Sequence, residues 1–513
     1  MYRRIRRWSV CVLAATLVTA VTDLRGQDGS GSPQGAPPAG NQATVAELQR
    51  RVDELDATIR QMQAERNASF SPAAAAPSPS ADGADPAALP TMVGPQDSVS
   101  SSVPPRPTER EGIHTGGFPL AGWNEGFYLR ASDGSYELHI TGQLQSDCRA
   151  FTNDVDTTTS PDTFLIRRAR LGIEGTIFQY YEFRLLPDFA GSSLSKSITD
   201  AYVNVHYWDA LQFETGKFKQ PFSYEQLIQD RYVPTLERSL IDQLVPARDE
   251  GVMIHGRKMF DDRFDYAVAF SNGDQNDSTI DTNNHKDFNG RLALRPFAAS
   301  DAGLLHGLQL GIAGGYGVEN EPVNPNVLTT PATVEWFAYN SGVLANGNRD
   351  RISPELVYFH NSFGFAAQSF YEDQQVQASA TKPVVDVPTH GFYVMTTYLL
   401  TGEERYDYTQ QIDPIRPFSA FRPVASPGAW ELVWRISQLD VGHEAFTAKL
   451  ATPGQSSLEA TESTFGFNWY WNKWVRAQFN WEHAWFSNPV KIGNAPSAFS
   501  KEDALYTRFQ LIF

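Results

Sequence analysis

The sequence predicts an all-β chain: a transmembrane antiparallel β-barrel of about sixteen strands, preceded by a short coiled-coil helix and a disordered linker. Three observations carry this expectation. From about Gly126 onward, short runs alternate apolar and polar residues and are divided by Gly, Asn, Asp and Pro. The chain closes on Leu505-Tyr-Thr-Arg-Phe-Gln-Leu-Ile-Phe513, an alternating strand with a terminal aromatic residue. No stretch after residue 30 approaches the roughly 18 uncharged apolar residues of a transmembrane helix, so any membrane passage is made by strands.

In the closing segment Leu505, Thr507, Phe509, Leu511 and Phe513 point one way, and Tyr506, Arg508 and Gln510 the other. Lipid can wet the first face and water the second. The same pattern recurs in Tyr136, Leu138, Ile140 and Leu144 against Glu137, His139, Thr141, Gln143 and Gln145. It recurs again in Ala201, Val203, Val205 and Tyr207 against Tyr202, Asn204 and His206. About sixteen such runs, of roughly 8–13 residues each, match the length a tilted strand needs to cross a bilayer. Some are joined by tight turns, as in Tyr470-Trp-Asn-Lys-Trp474 and Phe260-Asp-Asp-Arg-Phe264, and others by long polar loops. That asymmetry is expected of outer-membrane barrels. Trp430, Trp434, Trp469, Trp471, Trp474, Trp481 and Trp485 gather near strand ends, as an interfacial aromatic girdle would place them.

The front of the chain has another texture. Arg3, Arg4, Arg6 and Arg7 precede the apolar run Trp8–Val21, and Val18-Thr19-Ala20 offers small residues for cleavage, so residues 1–20 read as a signal peptide. Residues 27–43, rich in Gly, Pro and Gln, are expected to be a flexible spacer. Within 44–66, Val45, Leu48, Val52, Leu55, Ile59 and Met62 are spaced alternately three and four apart, the seam of a left-handed coiled coil. Residues 68–120 are expected to be a disordered Pro/Ala/Ser linker, which leaves the helix no nearby core and predicts self-association, most simply as a trimer. The barrel is then expected over 126–513, with the coiled coil in the periplasm. Once the signal peptide is removed, Cys148 is the one cysteine, and an intrachain disulfide is excluded.

A formal charge of −17 disfavours nucleic acid, since phosphate backbones require clustered cations. No histidine, cysteine or carboxylate grouping has metal-ligand spacing, and no Gly-rich phosphate loop precedes a helix, so no cofactor is expected. The densest basic cluster is Leu165-Ile-Arg-Arg-Ala-Arg-Leu-Gly-Ile-Glu-Gly175. Arg168, Arg170 and Glu174 share the polar face opposite Leu171 and Ile173. Arg167 has the wrong parity and needs a bulge, a strand end or a constriction position to escape lipid, where a cation at the midplane costs about 2–4 kcal/mol.

Arg167-Arg-Ala-Arg170 together with Gly172, Asp188, Asp200-Ala-Tyr202, Gly216-Lys-Phe-Lys-Gln-Pro-Phe222 and Leu236-Glu-Arg238 resembles the phosphate-selective porins of the O and P type. Tyr398-Leu-Leu-Thr-Gly-Glu403, Gly428-Ala-Trp-Glu-Leu432 and Asn468-Trp-Tyr470 follow in the same order, so the resemblance spans about 126–513. It implies a trimeric sixteen-stranded outer-membrane barrel, constricted by paired strand arginines and basic residues on an inward-folded loop. Arg167 and Arg168 match the pair, Arg238 matches the arginine closing the loop, and Arg231 matches a lysine within it. With Arg170, these residues form the expected anion pathway. The chain departs from the pattern at Gln143, where the family has arginine, and at Gln226 and Asp230, which replace a lysine and a small hydroxyl residue. Residues 319–348 hold no Lys or Arg, so a basic stretch feeding anions inward is missing.

The sequence thus supports a passive channel for small hydrophilic solutes, anions such as phosphate included, without covalent chemistry. Two alternatives stand beside it. A secreted all-β carbohydrate-active protein would use carboxylate pairs such as Glu403 and Glu404 or Asp261 and Asp262, but adjacent acids on a strand project to opposite faces. An envelope tether would use the barrel as an anchor for the coiled coil. Replacing Leu55 and Ile59 by Asp is expected to reduce cross-linked oligomers while leaving the barrel folded, and unchanged cross-linking would remove the stalk from the account.

Overall fold

The computed structural model describes residues 120–123, 126–152, 162–190, 198–273, 283–298, 303–491 and 497–513. The expected signal peptide, spacer and coiled coil, and the linker up to residue 119, lie outside the described residues. Twenty strands follow in order: β1 (Leu120–Trp123), β2 (Phe127–Arg130), β3 (Tyr136–Phe151), β4 (Thr163–Ile177), β5 (Tyr181–Pro187), β6 (Ile198–Trp208) and β7 (Leu211–Lys219). Next come β8 (Arg248–Lys258), β9 (Phe264–Ser271), β10 (Asp287–Leu294), β11 (Gly307–Pro322), β12 (Val327–Thr329), β13 (Glu335–Ala338) and β14 (Leu344–His360). The last are β15 (Phe363–Gln377), β16 (Val384–Leu399), β17 (Ala429–Val441), β18 (Glu459–Tyr470), β19 (Val475–Val490) and β20 (Phe499–Ile512).

Sixteen of these, β3–β11 and β14–β20, pair antiparallel with their neighbours, and β20 returns to β3, so the barrel closes. Closure satisfies every ladder from within the sheet, which lipid demands because it offers no hydrogen bonds. Alternation sorts the faces as expected. Leu171, Ile173, Phe509 and Leu511 face outward and exposed, while Gln143, Gln145, Arg168, Arg508 and Gln510 are buried on the lumen side. Trp434, Trp481 and Trp485 are exposed on the outer wall.

The seam runs from Ala504↔Phe151 to Ile512↔Gln143. One step further, the Gly142 amide donates to the Phe513 carbonyl at 2.6 Å and the Phe513 amide donates back at 3.0 Å. A Cβ on Gly142 would lie 2.2 Å from the Phe513 ring, so only glycine lets the last residue dock. Beyond Phe513 the hairpin β1–β2 takes over as partner of β3, pairing Phe127↔Ile140 through Arg130↔Glu137. Trp123 of that hairpin meets Trp474 edge-on at 5.8 Å and Phe513 at 6.1 Å. The sheet therefore starts upstream of the Gly126 boundary and takes in Leu120, the end of the expected linker. Leu120-Ala-Gly-Trp123 is too short to display an alternation, and the sheet, not its own pattern, makes it a strand.

Short turns, such as Asp209-Ala210 and Asn361-Ser362, lie at the end that also carries the first residues of β3 and the last of β20. The opposite end carries the long connections 220–247, 323–343 and 442–458. These fold inward: Phe222, Ile228, Leu240, Ile241, Trp336, Phe337 and Leu450 are fully or almost fully buried and form one apolar cluster with lumen-side Phe359, Phe370, Val376 and Tyr393. The lumen beside β14–β19 is thereby packed like a protein core.

Gly142→Leu is expected to block closure of the seam. Refolded into detergent, the variant should lose the heat-dependent shift in gel mobility that a closed barrel gives, and retention of that shift would contradict the role assigned to this contact.

Candidate permeation site

The site is built by the connection 220–247. Gly216, within β7 four residues before the loop, takes φ +123°, and a Cβ there would lie 2.2 Å from the Ala201 carbonyl oxygen, so the approach to the loop requires glycine at this position. Pro221 has no amide to pair and ends the ladder. Ser223 then caps the short helix Tyr224–Leu227 by accepting from the Gln226 amide.

A segment buried without a sheet must find donors for its carbonyls. Lys219 donates from Nζ to the carbonyls of Gln226 at 2.6 Å, Leu227 at 3.3 Å and Ile228 at 2.8 Å. Arg238 donates to the carbonyls of Glu225 and Ile228. The opposite wall supplies the rest. Arg435 reaches Glu237 O at 2.8 Å, Arg476 reaches Arg231 O at 2.9 Å, Asn468 reaches Pro234 O at 2.9 Å, and Arg508 reaches Leu236 O at 2.5 Å.

Two carboxylates on the loop collect the arginines. The β3–β4 ladder skips Arg167: Gln145 pairs with Arg168 and Ser146 with Ile166. Arg167 is therefore the extra residue of a β-bulge, one of the ways by which its parity could be reconciled with the membrane. Its Nε donates to Glu237 at 2.7 Å. Glu237 also accepts from Arg149 at 3.0 Å and Arg508 at 2.9 Å. Asp230 pairs with Arg238 at 2.7 Å, with Arg170, and with Arg168 at 3.5 Å, while Arg170 holds Asp188 at 2.8 Å.

Burial opposes ionisation of Asp230, but Arg168, Arg238 and Arg170 outweigh it and hold its carboxyl well below the usual range. Glu237 is held down in the same way, burial being overcome by Arg167, Arg508 and Arg168. Asp242 behaves oppositely. Burial, only partly offset by Arg238 and reinforced by Glu225 and Asp230, pushes it up to about 7.

Between this loop and the β3–β8 wall lies a cavity of about 190 Å³. Arg170, Arg184, Lys219, Arg231 and Arg248 line it, against Asp200, Glu214 and Asp230; Gln143 and Tyr202 add neutral polar groups. Asp200 is shared by Arg248 at 2.6 Å and Arg184 at 3.3 Å. Arg231 donates to Gln229 at 2.8 Å and lies 5.0 Å from the Tyr232 ring, with no carboxylate in ion-pair range among the described residues.

Of the expected pathway residues, Arg170 and Arg231 line this cavity. Arg167, Arg168 and Arg238 belong to the ion-pair network beside it. Sequence reasoning passed over Arg184, Lys219 and Arg248. Arg184 has polar parity between Phe183 and Leu185, and Lys219 sits in the quoted loop motif, so both signals existed as single residues. The pairing of Arg184 and Arg248 through Asp200 joins residues distant in sequence and had no signal.

The phosphate-selective porin O and P family model matches residues 138–513. This chain belongs to that family. Porin O of Pseudomonas aeruginosa is 24% identical over 417 residues, covering 76% of this chain and 91% of that protein. Among solved structures, an OmpF of Salmonella typhi in complex with daunomycin aligns at 12% identity, 77% of this chain, 100% of the other and a TM-score of 0.46. The outer membrane channel DcaP of Acinetobacter baumannii aligns at 11% identity, 77% and 100% coverage and a TM-score of 0.45. The protein is an outer-membrane porin.

As pH falls through about 7 the Asp242 carboxyl takes up a proton and the porin loop loses one negative charge, whereas Asp230 and Glu237 remain ionised. Reversal potentials in a salt gradient are expected to move toward anion preference as pH falls from about 8 to about 6. Asp242→Asn should abolish that step, and a step that persists in the variant belongs to another group.

Proposed function

We propose that this porin is a passive diffusion pore with a modest preference for small hydrophilic anions, phosphate among them, conducted weakly and without saturation. The carrying observation is the cavity beside β3–β8, where five cations face three carboxylates. A surplus of positive charge in a narrow, partly dehydrated passage acts more strongly than in bulk water, on the order of 1 kcal/mol per charge. The acidic residues Glu319, Glu321 and Glu335, at the end of the long connections, oppose entry less. Glu319 is itself paired with Arg349 at 2.5 Å, and exposed charges farther than about 8 Å are screened at physiological salt.

The weakness of the preference follows from the pairing. Gln143 stands in the cavity where the family has arginine, and Asp230 consumes charge that a hydroxyl would leave free. Transport of this kind needs no nucleophile and no acid–base pair. Asp262, one of the acids weighed for glycosidic chemistry, is tied to Arg295 at 3.0 Å. We further propose a homotrimer, with the 44–66 coiled coil in the periplasm reinforcing it.

Planar-bilayer reversal potentials in asymmetric KCl test the reading. Arg231→Gln with Arg248→Gln should reduce the anion-to-cation permeability ratio by about fivefold or more. Changing Arg167 and Arg168 together to Gln should abolish or invert the preference, because Glu237 and Asp230 lose cations that offset them. A cation-selective wild type, or unchanged potentials in both variants, would overturn the proposal.

A further inference from the structure

The connection between β16 and β17, Leu400–Gly428, is the longest at the short-turn end among the described residues. Its first part enters the lumen, where Arg405 meets Glu431 at 2.7 Å and Tyr408 is buried 5.0 Å from the Phe359 ring. Its second part leaves the lumen and rides on the outer wall. Phe418 packs edge-on against Trp469 at 4.8 Å and lies 5.4 Å from Trp471; Trp469 in turn stacks on Trp430 at 5.1 Å. Trp430 and Trp469 share outward parity with the exposed Leu432, Trp434 and Phe465, so Phe418 continues the lipid-facing belt.

Past Phe418 the chain forms a small closed loop. Ser419 donates to Ser426 O at 3.0 Å, Arg422 to Ser419 O at 3.0 Å and Ser426 to Arg422 O at 2.9 Å. Its base is tied by Phe418 donating to Trp471 O at 2.6 Å and Gly428 to Arg416 O at 3.0 Å. Pro414, Pro417, Pro423 and Pro427 restrict the backbone further. This preformed element holds out Ile415 at 65%, Phe421 at 97% and Val424 at 93% exposure. Arg416 and Arg422 are exposed beside them, and residues 414–430 contain no acid.

We propose that this turn is a lipid-binding foot. Ile415, Phe421 and Val424 enter the hydrocarbon edge of the leaflet nearest the short turns, and Arg416 and Arg422 hold the phosphate oxygens of anionic phospholipid headgroups. Apolar side chains beside cations on a rigid support match the layering of an interface, and the contact is continuous with the lipid-facing girdle through Phe418. A solute-binding role does not fit, because the tip lies outside the lumen. Protein partners lack comparable support, since the patch is continuous with the outward-facing aromatic belt of Trp430 and Trp469.

The test uses the full-length porin in bilayers of phosphatidylcholine with or without phosphatidylglycerol. In a Cys148→Ser background, a nitroxide placed by Phe421→Cys should be relaxed by oxygen more than by a water-soluble nickel chelate, as should one placed by Val424→Cys. Spin-labelled phosphatidylglycerol should be enriched over phosphatidylcholine at the protein boundary. Arg416→Gln with Arg422→Gln should reduce that enrichment at least twofold, while conductance and reversal potential stay at wild-type values. Nitroxides more accessible to nickel than to oxygen, dipolar broadening between copies at position 421, or enrichment unmoved by the double variant would each overturn the proposal.

Discussion

The pairing of wall cations with the negative groups of one inward loop governs the rest of the lumen. Residues 220–247 have no strand partners, so their carbonyls are satisfied by Lys219, Arg238, Arg435, Arg476 and Arg508, and their carboxylates by Arg167, Arg168 and Arg170. A cation engaged in this way holds the loop in place. Breaking one such pair leaves its partner buried and uncompensated, which is costly, so the network resists piecemeal change.

The loop also divides the barrel. On the β14–β19 side it joins Trp336, Phe337 and Leu450 in an apolar cluster, and Tyr224 meets Asp407 of the connection rising from the opposite end at 3.2 Å. Material from both ends of the barrel thus meets inside the same half. The β3–β8 side keeps the polar cavity, and the alternation of its strands decides which groups are offered there. The same arginines that line or border the cavity also hold the loop, so the polar half and the packed half of the lumen share residues.

Much of this was legible in the sequence. Sidedness along Leu505–Phe513, the hairpins at Phe260–Phe264 and Tyr470–Trp474, and the need for a special backbone position at Arg167 all follow from a two-residue period, which is local information. Three things were not legible. Leu120–Trp123 is a strand only because β2 and the seam receive it. Asp230, noted as a departure from the family pattern, turned out to be a hub for three arginines, and that depends on where the loop crosses the lumen. Arg184 and Arg248 meet through Asp200 across register positions that no pattern in either segment specifies. Periodicity assigns a face, whereas a site is an intersection of faces.

The bulge at Arg167 has an evolutionary consequence. In the β4 ladder Ile166 faces lipid and Arg168 faces the lumen, with Arg167 interposed as a supernumerary residue. Losing that one codon would leave Ile166 and Arg168 as ordinary alternating neighbours, with every flanking pair still in register. Elsewhere in a strand, a one-residue deletion would turn each following side chain inside out. At this position a single indel removes or restores a guanidinium while the wall stays the same, and the cost falls on Glu237 alone, which keeps Arg149 and Arg508.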